Sequence, residues 1–486
     1  MKWPARSVRS CAAAPTLAAL TLGALALAGC RVGPNYHAPV PPTGADAPLR
    51  SVDPAEETPA APPDAWWRLY DDARLDGLVQ EALKANRNLA AADANFAAAR
   101  AVLTAAHAAR YPSTVGVAGG VYGRDAITDE ILELGGHPPQ TVWLFEDVIQ
   151  AAYEVDLFGR VHRAIESANA NADAVAAARD GVKVVVAAET ARAYAAVCAL
   201  GEQLAVARHS LDVVAGEAKI TADRREAGAG SDYDVARAQA LVAQVRSSIA
   251  PLEGQRRAAT FELAAVLGRA PAAAPMELES CAAPPSLKSL IPVGDGTALL
   301  RRRPDVRQAE RRLAAATADI GVATADLYPT IRLAGLYGGA ATELSQLNNN
   351  IGRTWGVGPE ISWSFPNMAG PRARVRQAKA ARAAALASFD AVVLTALKET
   401  EQALTLYGAA LDNRQSLGDA RDQIHTAFDI ARDEFRAGSV SNLDLLTTEQ
   451  TLVALDAAVA ASDAALVQDQ IAVFKALGGG WQEAPE

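Results

Sequence analysis

Four cysteines, six histidines and a scatter of carboxylates are the reactive side chains of this 486-residue chain. Their spacing builds none of the common catalytic or metal-binding sets. The histidines show no metal-ligand spacing, and there is no His-Glu-x-x-His, no phosphate-cradling glycine loop and no Gly-x-Ser-x-Gly. One cysteine and two aspartates stand out instead. Cys30 closes the run Leu27-Ala28-Gly29-Cys30, which places small residues ahead of a thiol. Asp234 ends Ala227-Gly228-Ala229-Gly230-Ser231-Asp232-Tyr233-Asp234, and Asp444 ends Ala437-Gly438-Ser439-Val440-Ser441-Asn442-Leu443-Asp444, 210 positions later. An acid just after such a glycine turn suits a helix N-cap or first turn, where the macrodipole favours negative charge.

The environment of Cys30 is that of an export signal. Lys2, Arg6 and Arg9 precede an apolar run from Thr16 to Leu27, and small residues follow. With cysteine at the cut, the segment resembles a lipoprotein signal. That resemblance implies removal of residues 1–29 and a Cys30 carrying N-palmitoyl and S-diacylglycerol lipid, with no other cofactor. The rival is an uncleaved membrane helix over Ser10 to Gly29, and Pro15 and the small-residue cut site argue against it. Lipoproteins kept at the inner membrane resemble one another in having Asp after the cysteine, so Arg31 favours the outer membrane. Cleavage removes three positive charges and takes the formal net charge from −10 to −13, which argues against nucleic acid as a partner. Cys198 and Cys281 then remain, either paired in an oxidising compartment or as free buried thiols.

The elements that position these residues come twice. Asn86-Arg87-Asn88-Leu89 opens a helical run ending at Tyr111-Pro112-Ser113, and Arg303-Pro304-Asp305-Val306 opens another ending at Tyr328-Pro329-Thr330, 217 positions on. Leu267-Gly268 recurs as Leu477-Gly478 at an offset of 210. A unit of about two hundred residues is duplicated. Residues 31–65 hold nine prolines and few large apolar groups, and read as an extended tether. Order begins at Trp66-Trp67-Arg68-Leu69-Tyr70 and continues as a helix over roughly 74–110. Proline is absent between Pro139 and Pro251 and between Pro371 and Pro485. Within those gaps the composition predicts helices over 161–227, 232–267, 372–437 and 442–477. The first of them would be roughly 100 Å long, which points to a coiled coil, a repeat or a helical barrel. Pro251 is expected to interrupt the second. Alanine replaces Leu and Phe on the helical faces, as close helix approach in a narrow wall requires.

Short alternating stretches separate the helices. Trp355, Val357, Pro359, Ile361, Trp363 and Phe365 share one face, and Gly356, Gly358, Glu360, Ser362 and Ser364 the other. Tyr153, Val155 and Leu157 alternate with Glu154 and Asp156, and Thr114 to Tyr122 and Ile331 to Tyr337 supply partner strands. Period two with an apolar face and terminal aromatics is the pattern of a transmembrane β-barrel strand, against a soluble sheet with one wet face. One chain offers four strands. Bacterial barrels close with eight or more, and lipid tolerates no open sheet edge, so the chain must oligomerise. Two copies would supply eight strands and three would supply twelve; the pattern does not choose.

Four motifs carry a family resemblance: Leu27-Ala28-Gly29-Cys30 with Gly33-Pro34-Asn35-Tyr36; Tyr153 through Arg160; Arg302-Arg303-Pro304-Asp305-Val306; and Phe435 through Leu446. Together and in order they resemble the outer membrane factors, the TolC-like efflux ducts, in their NodT-type lipoprotein branch, over Cys30 to about Gly480. The resemblance implies a mixed α and β membrane protein and a homotrimer. A twelve-stranded barrel in outer-membrane lipid would continue as a periplasmic α-helical barrel, with a mixed equatorial belt. It implies no enzyme activity, and as partners a periplasmic adaptor (a membrane fusion protein) and an inner-membrane efflux pump. Small molecules such as drugs or toxic compounds would leave through the duct. By the Gly438 alignment, Asp444 stands at an acidic ring narrowing the entrance, with Asp234 its duplicate and Leu445 and Leu446 adding an apolar constriction. Thr447 stands where TolC has a second acid. Gly228, Gly230 and Gly438 would lie at the adaptor-docking tip. The implied layout is leader 1–29, lipidated tether 30–70, first repeat 71–269, equatorial connector 270–296, second repeat 297–480 and tail 481–486. The alternative is a periplasmic coiled-coil adaptor or scaffold lipoprotein.

Overall fold

The structure, a computed structural model, describes residues 31–45, 47–123, 134, 136, 141–350 and 352–481. The leader and Cys30 lie outside the described residues. In chain order the elements are β1 (Glu57–Thr58), α1 (Ala73–Ala85), α2 (Arg87–Ala108), β2 (Ser113–Gly123), β3 (Val142–Val155), α3 (Arg160–Glu226), α4 (Asp232–Val266), β4 (Ile291–Pro292), α5 (Gly296–Arg302), α6 (Pro304–Ala325), β5 (Thr330–Ala341), β6 (Arg353–Ser362), α7 (Ala369–Ala437) and α8 (Asn442–Ala476), with short 3₁₀ turns such as Trp66–Tyr70. The chain divides into two compact units. Among the described residues one holds 31–39, 97–173 and 310–387; the other holds 40–96, 174–309 and 388–481.

The first unit carries a four-stranded antiparallel sheet in the order β2-β3-β5-β6. Residues paired across an antiparallel sheet share a face. One face holds the row Trp355, Tyr337, Ile149 and the row Pro359, Leu333, Tyr153. The other holds Glu360, Arg332 and Glu154, with Arg332 Nε 3.9 Å from Glu154 Oε2. Trp355 is 72% exposed and Val357 71%. So much bare apolar surface on one face of a sheet is what lipid would cover. Aromatic side chains gather at both ends of the strands. Trp143 meets Tyr122 and Phe145, and Phe158 stacks on Tyr328 at 4.5 Å.

Two strand expectations are corrected. β3 begins at Val142, well before Tyr153, and stops at Val155. It stops there because Asp156 caps the next helix, its carboxylate accepting from the Val161 and His162 amides at 3.0 and 2.8 Å. β6 ends at Ser362, so Trp363 and Phe365 stack on each other just beyond it. In β2 the register pairs Gly116 with Ile149. Val115 and Val117 therefore lie on the face opposite Trp355.

The proline-rich segment is extended and is fastened along its length. In the first unit the guanidinium of Arg163, 2% exposed, donates to the carbonyls of Val32 and Gly33 and to Asn35 Oδ1. The Tyr36 hydroxyl donates to Glu310. In the second unit Glu401 accepts from the Arg50 and Ser51 amides, and β1 pairs in parallel with β4. A segment without large apolar groups can still be fastened through its backbone.

The second unit has a core of aromatic anchors set among alanines. Trp66, wholly buried, stacks on Phe474 at 4.8 Å. Ala187, Ala191 and Ala193 of α3 are fully buried in the same cluster. The four long helices match their expected spans to within a turn. Two expectations fail. α4 runs through Pro251 without a break; the helix gives up the one bond that an amide at position 251 would donate to the Ser247 carbonyl and continues on the bonds either side. The single helix over 74–110 is two, broken at Asn86, whose backbone is extended and whose Oδ1 caps α2 through the Asn88 and Leu89 amides.

Asn86 also shows how the duplicated unit closes. Its Nδ2 donates to the Val266 carbonyl at the end of α4, at 2.8 Å. In the second copy Arg303 Nη1 donates to the Ala476 carbonyl at the end of α8, also at 2.8 Å. A polar side chain at the helix break grips the orphan carbonyl of the returning helix in both copies. Cys198 of α3 and Cys281 form a disulfide, which settles the choice the sequence left open.

Candidate functional site at the helical turns

Glycine ends both outgoing helices. Gly228 and Gly438 adopt φ of 80° and 82°, the left-handed region that closes a helix. Ala229 N donates to the Arg224 carbonyl at 2.8 Å and Ser439 N to the Glu434 carbonyl at 2.9 Å, so both turns have the same closing bond. Gly230 plays a different part. Its φ is ordinary, but a Cβ there would lie 3.2 Å from the Arg225 backbone nitrogen.

Serine then starts both returning helices. Ser231 and Ser441 are N-caps, and each hydroxyl accepts from the amide of the aspartate three residues on, at 3.2 Å. Each hydroxyl also donates to that aspartate's carboxylate, at 2.7 Å for Asp234 and 2.6 Å for Asp444. In the first copy the Ser231 amide donates to the carboxylate as well and completes a capping box. The Ser231 hydroxyl holds the Asp234 carboxyl below its ordinary range. Its contribution is present above the unfolded pKa and lost as pH falls through the folded one. The first-turn reading of both aspartates therefore describes what the structure shows.

The two turns are tied together. The Arg224 guanidinium lies 4.1 Å from the Phe435 ring centroid and donates to the Phe435 carbonyl at 3.2 Å. Thr221 reaches Asn442 at 3.5 Å. Leu445 and Leu446 require correction as pore residues. Leu445, 1% exposed, packs with Phe428, Phe435 and Leu452, and Leu446 packs with Val214, Ala238, Leu241 and Val245. Both are spent within the chain and hold α8 in place; the exposed large apolar side chain of that turn is Leu443. The caps were legible as Ser-x-x-Asp spacing in both copies, but Arg224 was not.

Among the described residues no group of three His, Cys, Asp or Glu side chains is placed to hold a metal ion. The arrangement therefore offers carboxylates at two helix starts, on turns held by backbone geometry.

The chain as a whole is similar to known proteins. A model of the outer membrane efflux protein family matches residues 78–269 and 297–479. Outer membrane protein OprJ of Pseudomonas aeruginosa is 30% identical, over 96% of this chain and 95% of its own length. Nodulation protein T of Rhizobium leguminosarum bv. viciae is 29% identical, over 94% and 92%. Among solved structures the outer-membrane channel OprN aligns with a TM-score of 0.83 at 34% identity, over 93% of this chain and all of that one.

Proposed function

The chain belongs to the outer membrane efflux protein family, and from that premise we propose that it is a homotrimeric, lipid-anchored duct through which small molecules leave. The observation that carries ring closure is the sheet, and the number three follows the family. Among the described residues β2 and β6 each pair on one side only, and one face carries Trp355, Tyr337 and Ile149 while the other carries Glu360, Arg332 and Glu154. An open edge is not tolerated in lipid, so neighbouring copies must pair β2 with β6 around a ring. Three copies give a twelve-stranded barrel with the charged row facing water. Residues 71–269 and 297–480 act as the two repeats, 270–296 as an equatorial connector and 481–486 as a tail. Residues 1–29 are the leader, and Cys30 carries the N-palmitoyl and S-diacylglycerol lipid.

The turns at Gly228, Gly230 and Gly438 form the face that meets a periplasmic adaptor delivering cargo from an inner-membrane pump. Asp444, repeated by symmetry, makes an acidic ring at the entrance, and Asp234 lies in the matching turn. No bond is broken in transport; the ring acts through its potential on passing ions. In an outer membrane fraction the protein is expected to run as a cross-linkable trimer that converts to monomer on heating. It should carry labelled palmitate that Cys30→Ser loses. A monomer released by salt alone would overturn the duct. In planar bilayers Asp444→Asn is expected to weaken cation preference and divalent-cation block. Unchanged ion preference would remove Asp444 from the ring.

A further inference from the structure

A polar residue recurs every seventh position along α8: Asn442, Glu449, Asp456, Asp463 and Gln470. Seven residues keep a helical position on one face, and this row lies against α3 and α7. Four of the five have a partner or a countercharge. Asn442 accepts from Thr221 at 3.5 Å, Asp463 from Arg414 at 2.9 Å and Gln470 from the Tyr70 hydroxyl at 3.4 Å. Asp456 feels Arg421 and His425 of α7 and His209 of α3.

Glu449 has none of these. Its side chain is 1% exposed, and neither carboxylate oxygen has a hydrogen-bond partner. One turn to either side lie Leu445, Leu446, Leu452 and Val453, all in the packing between helices. The charge acting on it is the like charge of Glu217 on α3. α4 presents Leu241 and Val245 here, and α7 presents Phe428, whose neighbour Arg432 is taken by Asp429 at 3.0 Å. A carboxylate in such a place is costly while ionised and inexpensive while protonated.

We propose that Glu449 is a proton-titrated positioning residue that sets how tightly the Asp444 end of α8 packs against α3 and α7, and so how wide the entrance stands. Glu449 lies five residues beyond Asp444, so displacing its turn moves the ring. Burial first, and Glu217 second, push its carboxyl up to about 7. A folded pKa above the unfolded value means that packing is fully present below the unfolded pKa. It is then lost as pH rises through the folded one. The entrance is thus held in acid and loosens through neutrality. The inference rests on Asp444 as an entrance residue, and a probe independent of that reading separates the two.

That probe is a nitroxide on Leu443→Cys, an exposed position at the same turn, in the full-length trimer. Its mobility and the trimer's bilayer conductance are followed from acid to alkaline pH. Both are expected to rise with a midpoint near 7. Glu449→Gln should flatten both curves. Glu217→Gln removes the like charge and should shift the midpoint to lower pH without removing it. If Glu449→Gln fails to assemble, the Glu217→Gln shift decides the matter. A label step without a conductance step would discard Asp444 as the entrance and leave the Glu449 latch standing. A wild-type label insensitive to pH, a Glu449→Gln curve like wild type, or an unshifted Glu217→Gln midpoint would overturn the proposal.

Discussion

Arg303→Ala is expected to cost about 3 kcal/mol and to lower the thermal midpoint of the protein. The side chain is 9% exposed and serves three acceptors from three elements. Nε and Nη2 fork onto Asp305 at 3.0 and 2.8 Å, Nη2 also reaches Glu399 at 2.7 Å, and Nη1 closes the Ala476 carbonyl. Removing it leaves two acids and a helix-end carbonyl without their cation. The estimate sits at the low end for a broken buried pair because Asp305 and Glu399 keep 44% and 46% side-chain exposure and recover some water. Lysine offers one point donor where a planar fork is used, so Arg303→Lys should recover only part of the loss. A thermal midpoint for the alanine variant within experimental error of wild type would show that the hub adds nothing.

The Cys198→Ala/Cys281→Ala variant should lose about 4 kcal/mol. The bond closes a loop across a sequence separation of 83, and on the chain-entropy account such a loop removes about 4–5 kcal/mol of unfolded-state freedom. Neighbouring contacts keep the connector against α3 and α4 even without the bond. Arg256 donates to the Cys281 carbonyl at 2.5 Å, and a Cβ on Gly201 would lie 2.0 Å from that same oxygen. The loss should therefore appear as lower thermal stability with unchanged conductance. Equal thermal midpoints for the variant and the unreduced wild type would refute it.

Much of the fold was legible because it is periodic. Long proline-free stretches of good helix formers predict long helices, and α3, α4, α7 and α8 follow. Alternation predicts strands, and β2 and β5 follow closely. Alternation failed at strand ends. Where β3 begins depends on what it pairs with, and Trp363 looks like a strand residue until its indole is seen donating to the Leu327 carbonyl at 3.2 Å. Hydropathy also has limits. α3, α7 and α8 each contain a stretch long and apolar enough to cross a membrane by composition alone. In α3 72% of that stretch is buried inside the chain. Alanine serves a close helical wall and a bilayer equally well, and only its neighbours tell them apart.

At the turns the chain alone determined that two glycine-serine-aspartate segments repeat and that each aspartate opens a helix, because capping is local chemistry three residues long. Tertiary structure decided which side chains around them remain free. It took Leu445 and Leu446 into the packing and left Leu443 outside. It joined the turns through Arg224 and Phe435, and it placed Glu449 in an apolar patch with Glu217 as its charged neighbour. Most of those outcomes depend on helices about two hundred residues apart in sequence, and local pattern carries no record of which faces will meet.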